Sequence, residues 1–231
     1  MRRLLLPLAA FTVLAQQPAE QSKPAPATEQ RLSATLDFGY RVLSGVGGDF
    51  QTYRSVVNLG EGPKLFSLDA SWEDPKGRLF DKLDLRMNSW GGDPYNTARF
   101  EAGRARTWRF TADYRNIQYF NFLPSFADPT IERGVLLNQR ALDSYRRATD
   151  LELVALPGRR VMPYAAYSRN SSRGHGITTF VLSANEYPVP HMLRDHSDNV
   201  RGGVRLEWPR WQLQLEGGGI TWHIDQQVYT F

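Results

Sequence analysis

From Leu32 onward, apolar and polar residues alternate along the chain with a period of two. Leu32, Ala34, Leu36, Phe38, Tyr40 and Val42 fall on one side, and Ser33, Thr35, Asp37, Gly39 and Arg41 on the other. Successive side chains of a β-strand point to opposite faces, so this pattern suits a sheet with one face against lipid and the other against water or packed polar groups. The alternation returns after each cluster of turn-forming residues. Tyr53, Val57 and Leu59 oppose Thr52, Arg54 and Asn58; Phe66, Leu68, Ala70 and Trp72 oppose Ser67, Asp69 and Ser71; Leu79, Leu83, Leu85 and Met87 oppose Lys82, Asp84, Arg86 and Asn88. Ala98, Phe100 and Ala102 oppose Arg99 and Glu101, and Trp108, Phe110, Ala112 and Tyr114 oppose Arg109, Asp113 and Arg115. Less regular segments follow at residues 151–155, 161–167, 178–182, 200–208 and 211–215.

These segments run to about nine to eleven residues, the length a tilted strand needs to cross a hydrocarbon layer, whereas soluble strands are nearer five or six. Many carry an aromatic near one end (Tyr40, Trp72, Trp90, Trp108, Tyr114, Tyr167, Trp208, Trp211, Trp222), where interfacial girdles would lie. The fold predicted is all-β, an antiparallel up-and-down transmembrane β-barrel over residues 32–231, with about ten to twelve strands visible. A soluble β-sandwich with the same alternation is the alternative. Connectors such as Gly47-Gly48-Asp49, Asp74-Pro75-Lys76-Gly77, Gly91-Gly92-Asp93-Pro94 and Pro157-Gly158-Arg159 have turn chemistry. Two longer pieces, residues 118–147 and 185–199, read as loops, and residues 136–147 as a candidate short helix.

A count of about eleven conflicts with the even strand number usual in bacterial single-chain barrels. Either one strand is miscounted or the chain is an amino-terminal piece of a longer barrel. Tyr229 and Phe231 resemble a terminal aromatic signature, but His223, Asp225 and Gln227 interrupt the face behind it. Gly217-Gly218-Gly219 followed by Ile220, Trp222 and Ile224 reads as a strand that bends and continues, which favours the second reading.

The amino end adds an address. Residues 1–15 place Arg2 and Arg3 before a short apolar run and end on Ala15, the pattern of a secretory signal peptide. Residues 16–31 are rich in Gln, Pro and Ala and have no face to bury, so they read as a flexible, disordered linker in the periplasm. The expected location is the outer membrane, with its lipid as the first partner. No stretch after residue 15 approaches the roughly 20 apolar residues of a membrane-crossing helix.

Composition narrows the chemistry. Mean hydropathy is −0.47 although 41% of residues are hydrophobic, which demands fine interleaving. The absence of cysteine removes disulfides, thiolate metal sites, cysteine nucleophiles, a lipoprotein anchor and covalent c-type haem. A net charge of +4, dispersed along the chain, gives no basic patch for nucleic acid.

His191 and His196 lie with Asp195 and Asp198 in one segment, a candidate divalent-ion cluster whose spacing matches no zinc motif. Ser172 and His175 are the nearest approach to a hydrolytic pair, in a segment that reads as a turn. Neither motif supports assigning a metal, a cofactor or a catalytic residue. The inward-facing charges form the more informative set: Asp37, Arg41, Arg54, Asp84, Arg86, Arg99, Glu101, Arg109, Asp113, Arg115, Arg201, Arg205 and Glu207. In an open barrel they line a channel whose arginine majority favours anions. In a filled barrel they pair across strands or grip a partner.

Trp90-Gly-Gly-Asp-Pro-Tyr95, the run Tyr114-Arg-Asn-Ile-Gln-Tyr-Phe-Asn121 and Leu123-Pro-Ser-Phe-Ala-Asp-Pro129 resemble outer-membrane barrels of the MtrB/PioB type. Val57-Asn-Leu-Gly-Glu-Gly-Pro-Lys64 and Asn185-Glu-Tyr-Pro-Val-Pro190 more closely resemble acidobacterial barrels. The likeness covers roughly residues 37–229 and lies in turn sequences, which identify architecture better than activity. It implies a sheath that holds a multihaem cytochrome for electron transfer across the outer membrane. The expected function is non-enzymatic, a porin-like pore or such a sheath; a rim-active enzyme and an adhesion or structural barrel presenting surface loops are the alternatives.

Overall fold

The computed structural model describes residues 30–45, 47, 60–91, 94–119 and 143–228. They form nine strands: β1 Arg31–Arg41, β2 Gly62–Glu73, β3 Lys82–Trp90, β4 Tyr95–Arg104, β5 Trp108–Tyr119, β6 Ser144–Ala155, β7 Val161–Leu182, β8 Asn185–Trp208 and β9 Trp211–Val228. All nine join one antiparallel sheet in sequence order, each strand pairing with the one before and after it. The sheet is open: β1 and β9 are its edges. The amino-terminal leader, residues 16–29 of the linker, Arg54 and the segment at 52–59, most of the 118–147 loop, and Tyr229 and Phe231 lie outside the described residues; Arg31, read as the end of the linker, opens β1.

Register places the apolar halves of the strands on one face. Leu32, Trp72 and Leu83 stand in one row, Leu36, Leu68 and Met87 in another, and Phe110, Leu153 and Ala165 in a third. On β8 the belt comprises Trp208, Leu206, Val204, Gly202 and Val200, then gives way to Asp198, His196 and Arg194. That span measures about 27 Å along the strand, the scale of a hydrocarbon layer crossed at a tilt. Aromatics gather at both margins. Trp208 stacks on Trp211 at 4.1 Å, Trp72 meets Phe80 edge-on at 5.1 Å, and the indole of Trp108 donates to the Leu79 carbonyl at 3.1 Å. At the other margin Ser89 takes φ 58°, breaking the alternation, and Trp90 stacks on Tyr114 at 5.8 Å.

Much of the apolar face is bare. Leu32 is 75% exposed, Leu36 56%, Leu153 47% and Leu215 59%, while Val154 on the opposite face is 2% exposed and packs with Met162 and Tyr164. A water-soluble sandwich does the reverse, covering its apolar face with a second sheet and leaving the polar one to solvent. Among the described residues no second layer covers the belt.

Several expectations need correction. Residues 161–167 and 178–182 are parts of one strand, β7, so nine strands replace the eleven counted, the segment at 52–59 lying outside the description. Residues 185–199 are not a loop but the first part of β8, and residues 144–147 begin β6 rather than end a helix. Leu79 sits in the β2–β3 turn, not in a strand. The reason is common to most of these. Just beyond the belt, over residues 168–176 of β7 and 194–199 of β8, both faces are polar or glycine, so the period of two lapses in the sequence although the backbone ladder continues, by direct pairing, from Val161↔Leu206 to Leu182↔Asn185. The β7–β8 ladder thus runs about 50 Å past the belt, flanked at first by β6 and β9, and only its last stretch of about 20 Å, beyond Gly176 and His191, is a two-stranded ribbon. As expected, β9 passes through Gly217-Gly218-Gly219 without ending.

Connections differ at the two ends of the sheet. Those at 74–81, 105–107, 156–160 and 209–210 are short; at the opposite end lie the connections at 42–61 and 120–143 and the projecting β7–β8 hairpin, with only 91–94 short.

Candidate functional site

Opposite the belt, the intervening residues build a charged face. Cross-strand register carries one row from Asp69 through Arg86, Arg99 and Asp113 to Asp150, and another from Ser71 through Asp84, Glu101 and Thr111 to Glu152. Of the thirteen residues expected to point inward, the strands place twelve on this face: Asp37 and Arg41 on β1, Asp84 and Arg86 on β3, Arg99 and Glu101 on β4, Arg109, Asp113 and Arg115 on β5, and Arg201, Arg205 and Glu207 on β8. Arg54 lies outside the described residues.

Most of these charges are paired rather than bare. Arg86 Nε meets Asp69 at 2.6 Å and Lys82 meets Asp84 at 3.0 Å. Arg99 lies between Glu101 and Asp113 at 3.6 and 3.7 Å, and Arg115 meets Asp150 at 3.2 Å. Arg205 grips Glu152 with both guanidinium nitrogens, at 3.3 and 2.7 Å, the bidentate geometry that makes such pairs strong. Its guanidinium also lies 4.3 Å above the Tyr164 ring. Tyr164 stands opposite Gly203, so its hydroxyl reaches across β8 to donate to Glu216, and Gln214 donates to both.

Sequence reading missed Asp69, Asp150, Glu152, Tyr164, Gln214 and Glu216 as members of this face. Strand parity alone would have found Asp69, which lies on the same side as Ser67 and Ser71. Tyr164 was hidden because an aromatic in such a strand reads as belt or girdle.

The Glu152–Arg205 pair is only about one-third exposed, so its loss should register. Glu152→Ala is expected to lower unfolding stability by about 1–2 kcal/mol, and Glu152→Gln by about half as much because the amide keeps one acceptor. Denaturant unfolding followed by tryptophan fluorescence measures both. Equal stability in all three proteins would show that the pair contributes nothing.

Two other constellations are taken apart by the same alternation. On β8, His191 and Asp195 point to one face and His196 and Asp198 to the other, so they form no joint ligand set. Among the described residues no group of three or more His, Asp or Glu side chains is placed to hold a metal. Ser172 and His175 lie in β7, not in a turn, and face opposite sides; the Ser172 hydroxyl donates to Asp195 instead.

Two hollows open on the charged face. One, of about 320 Å³, is bordered by Ser33, Asp69, Lys82, Asp84, Arg86 and Glu101. The other, of about 620 Å³, lies nearer the projecting hairpin and joins Arg115, Arg146 and Asn170 to Ile117, Leu193, Trp222 and Ile224. Past the glycine triplet, therefore, the apolar side chains of β9 change face, and Thr221, His223 and Asp225 take the outer side. No family model, curated protein or solved structure matches the chain.

Proposed function

We propose that the chain forms the wall of a transmembrane β-barrel in the outer membrane and works as a passive pore or as a sheath around a partner, not as an enzyme. The observation that carries this reading is the uncovered apolar belt: Leu32, Leu36, Leu153 and Leu215 stand about half or more exposed with no second layer over them among the described residues, while the buried cluster of Val154, Met162 and Tyr164 lies on the opposite face. Hydrocarbon is the medium in which that arrangement is stable. The connections support it as well. Short turns at one end and long connections at the other are the outer-membrane habit, with the short ones periplasmic. The projecting hairpin then lies outside the cell, and the chain enters β1 from the periplasm, in keeping with a signal peptide at 1–15.

β1 and β9 run in the same direction, so closure by antiparallel pairing alone takes an odd number of further strands between them. The cross-strand ion pairs favour a braced polar lining over a strongly anion-selective one. Such a lining suits water or the polar surface of an enclosed protein, and the resemblance to MtrB/PioB-type barrels names a multihaem cytochrome as the candidate partner.

Full-length protein reconstituted in planar bilayers is expected to give stepwise conductance if it is an open pore. A silent barrel that co-purifies with haem-bearing protein supports the sheath. A mature chain that stays in solution without detergent and leaves vesicles untouched would overturn both.

A further inference from the structure

Just beyond the belt, the outer face of β6–β8 carries a hollow of about 180 Å³ bordered by Tyr145, Arg147, Arg169, Arg173, Arg194 and His196. Four guanidinium groups stand around this space, with three carboxylates near them: Asp198, Asp195 and, opposite Arg194 on the outer side of the β8–β9 ladder, Asp225. Asp198 pairs with Arg169 at 3.4 Å but also accepts from the Tyr167 hydroxyl at 2.5 Å. Asp195, also on the border, accepts from Ser172. Arg173 leans over the Tyr145 ring at 5.2 Å. Among the described residues Arg147 and Arg194 close no ion pair, although Asp225 is the cross-strand neighbour of Arg194.

The register sharpens the point. Arg173 and Arg194 are direct cross-strand partners, and like charges placed opposite each other destabilise a sheet. The neighbouring pair on the same face, Arg169 opposite Asp198, is complementary, and Arg194 faces Asp225 on its other side, across the β8–β9 ladder. An opposed arginine pair beside two further arginines is the arrangement that an anion with several oxygens resolves, since each planar guanidinium can present two parallel N–H donors to it.

We infer that this hollow is a phosphoryl-binding site. It takes the phosphate of a lipid headgroup in the outer leaflet, or a free phosphate anion of the same chemistry. The site itself follows from the arginines and does not require the membrane reading; the lipid source rests on that reading, because the hollow lies beside the end of the belt.

The test uses the full chain, delipidated in maltoside micelles and titrated calorimetrically with inorganic pyrophosphate and, separately, with diphosphoryl lipid A. Binding of pyrophosphate as tight as that of the lipid identifies a free-anion site, and preference for the lipid identifies the headgroup; either result supports the inference. Arg173→Gln with Arg194→Gln is expected to weaken binding by about tenfold or more. The same double variant should melt higher than the parent without phosphate, because the repulsion is gone, and should lose the rise in melting temperature that phosphate gives the parent. No binding of either probe by the parent, or undiminished binding by a folded double variant, would overturn the site. Neither result bears on whether the sheet crosses a membrane, which the bilayer recordings decide.

Discussion

Leu153→Arg should destabilise the protein in lipid by about 2–4 kcal/mol, the cost of a guanidinium near the middle of a barrel's lipid-facing belt. The position is chosen because the two environments give opposite answers there. Leu153 lies on β6 between Phe110 and Ala165, and it is nearly half exposed. On a sheet bathed in water an arginine at such a site would change stability by no more than about 0.5 kcal/mol. Thr111→Arg is the matched control. It stands one strand away on the charged face, between Glu101 and Glu152, where a cation finds carboxylates on both sides and should cost less than about 1 kcal/mol. Urea titrations of protein folded into phosphatidylcholine vesicles give both values. If the two variants unfold alike, the belt does not face hydrocarbon, and the barrel reading fails with it.

Where the sequence was legible, it was so because one face of a strand was apolar and the other was not. Ser67, Asp69 and Ser71 against Leu68, Ala70 and Trp72 leave no doubt about parity, and parity alone assigned Arg86, Arg99 and Asp113 to a common face. Partnership was not legible, because which charge meets which depends on register between strands. Arg115 meets Asp150 across 35 residues and Arg205 meets Glu152 across 53. The loops read at 185–199 and around Ser172 show the opposite limit. There His191, Asp195, Ser172 and Asn170 on one side face Arg194, His196 and Arg169 on the other, so no hydrophobic period marks the strand. Backbone pairing holds it nonetheless, and the neighbourhood of two histidines and two aspartates in sequence becomes separation in space.

The register also changes what the charged face can do. The arginine-rich set read from the sequence implied an anion-favouring channel in an open barrel, and charges paired across strands or gripping a partner in a filled one. Once Asp69, Asp150, Glu152 and Glu216 join that face, their carboxylates offset the arginine majority, and most of the cations are engaged by them. A neutralised, hydrogen-bonded lining has low selectivity but high cross-strand rigidity. That combination suits a wall that must hold its shape around water or a partner, and it places the mechanical demand on the points where the sheet bends.

Those points are glycines, and they differ sharply within one triplet. A Cβ at Gly218 would stand 2.5 Å from the Val200 carbonyl oxygen and 3.0 Å from the Arg201 Cα, backbone atoms that cannot move without breaking the β8–β9 ladder. A Cβ at Gly217 would meet nothing within 4 Å and would project from the belt face. Gly218→Val is therefore expected to cost about 3 kcal/mol through overpacking against backbone. Gly217→Val should be neutral or stabilise by up to about 1 kcal/mol, since a β-branched residue suits an extended strand better than glycine does. Gly203 provides a second test of the same contact, because its Cβ would stand 2.1 Å from the Leu215 carbonyl oxygen and 3.0 Å from the Glu216 Cα. The stacked indoles of Trp208 and Trp211 at the β8–β9 turn make tryptophan emission a direct reporter of this pairing. Equal losses at Gly217 and Gly218 would mean that the two strands do not approach as closely as this bend requires.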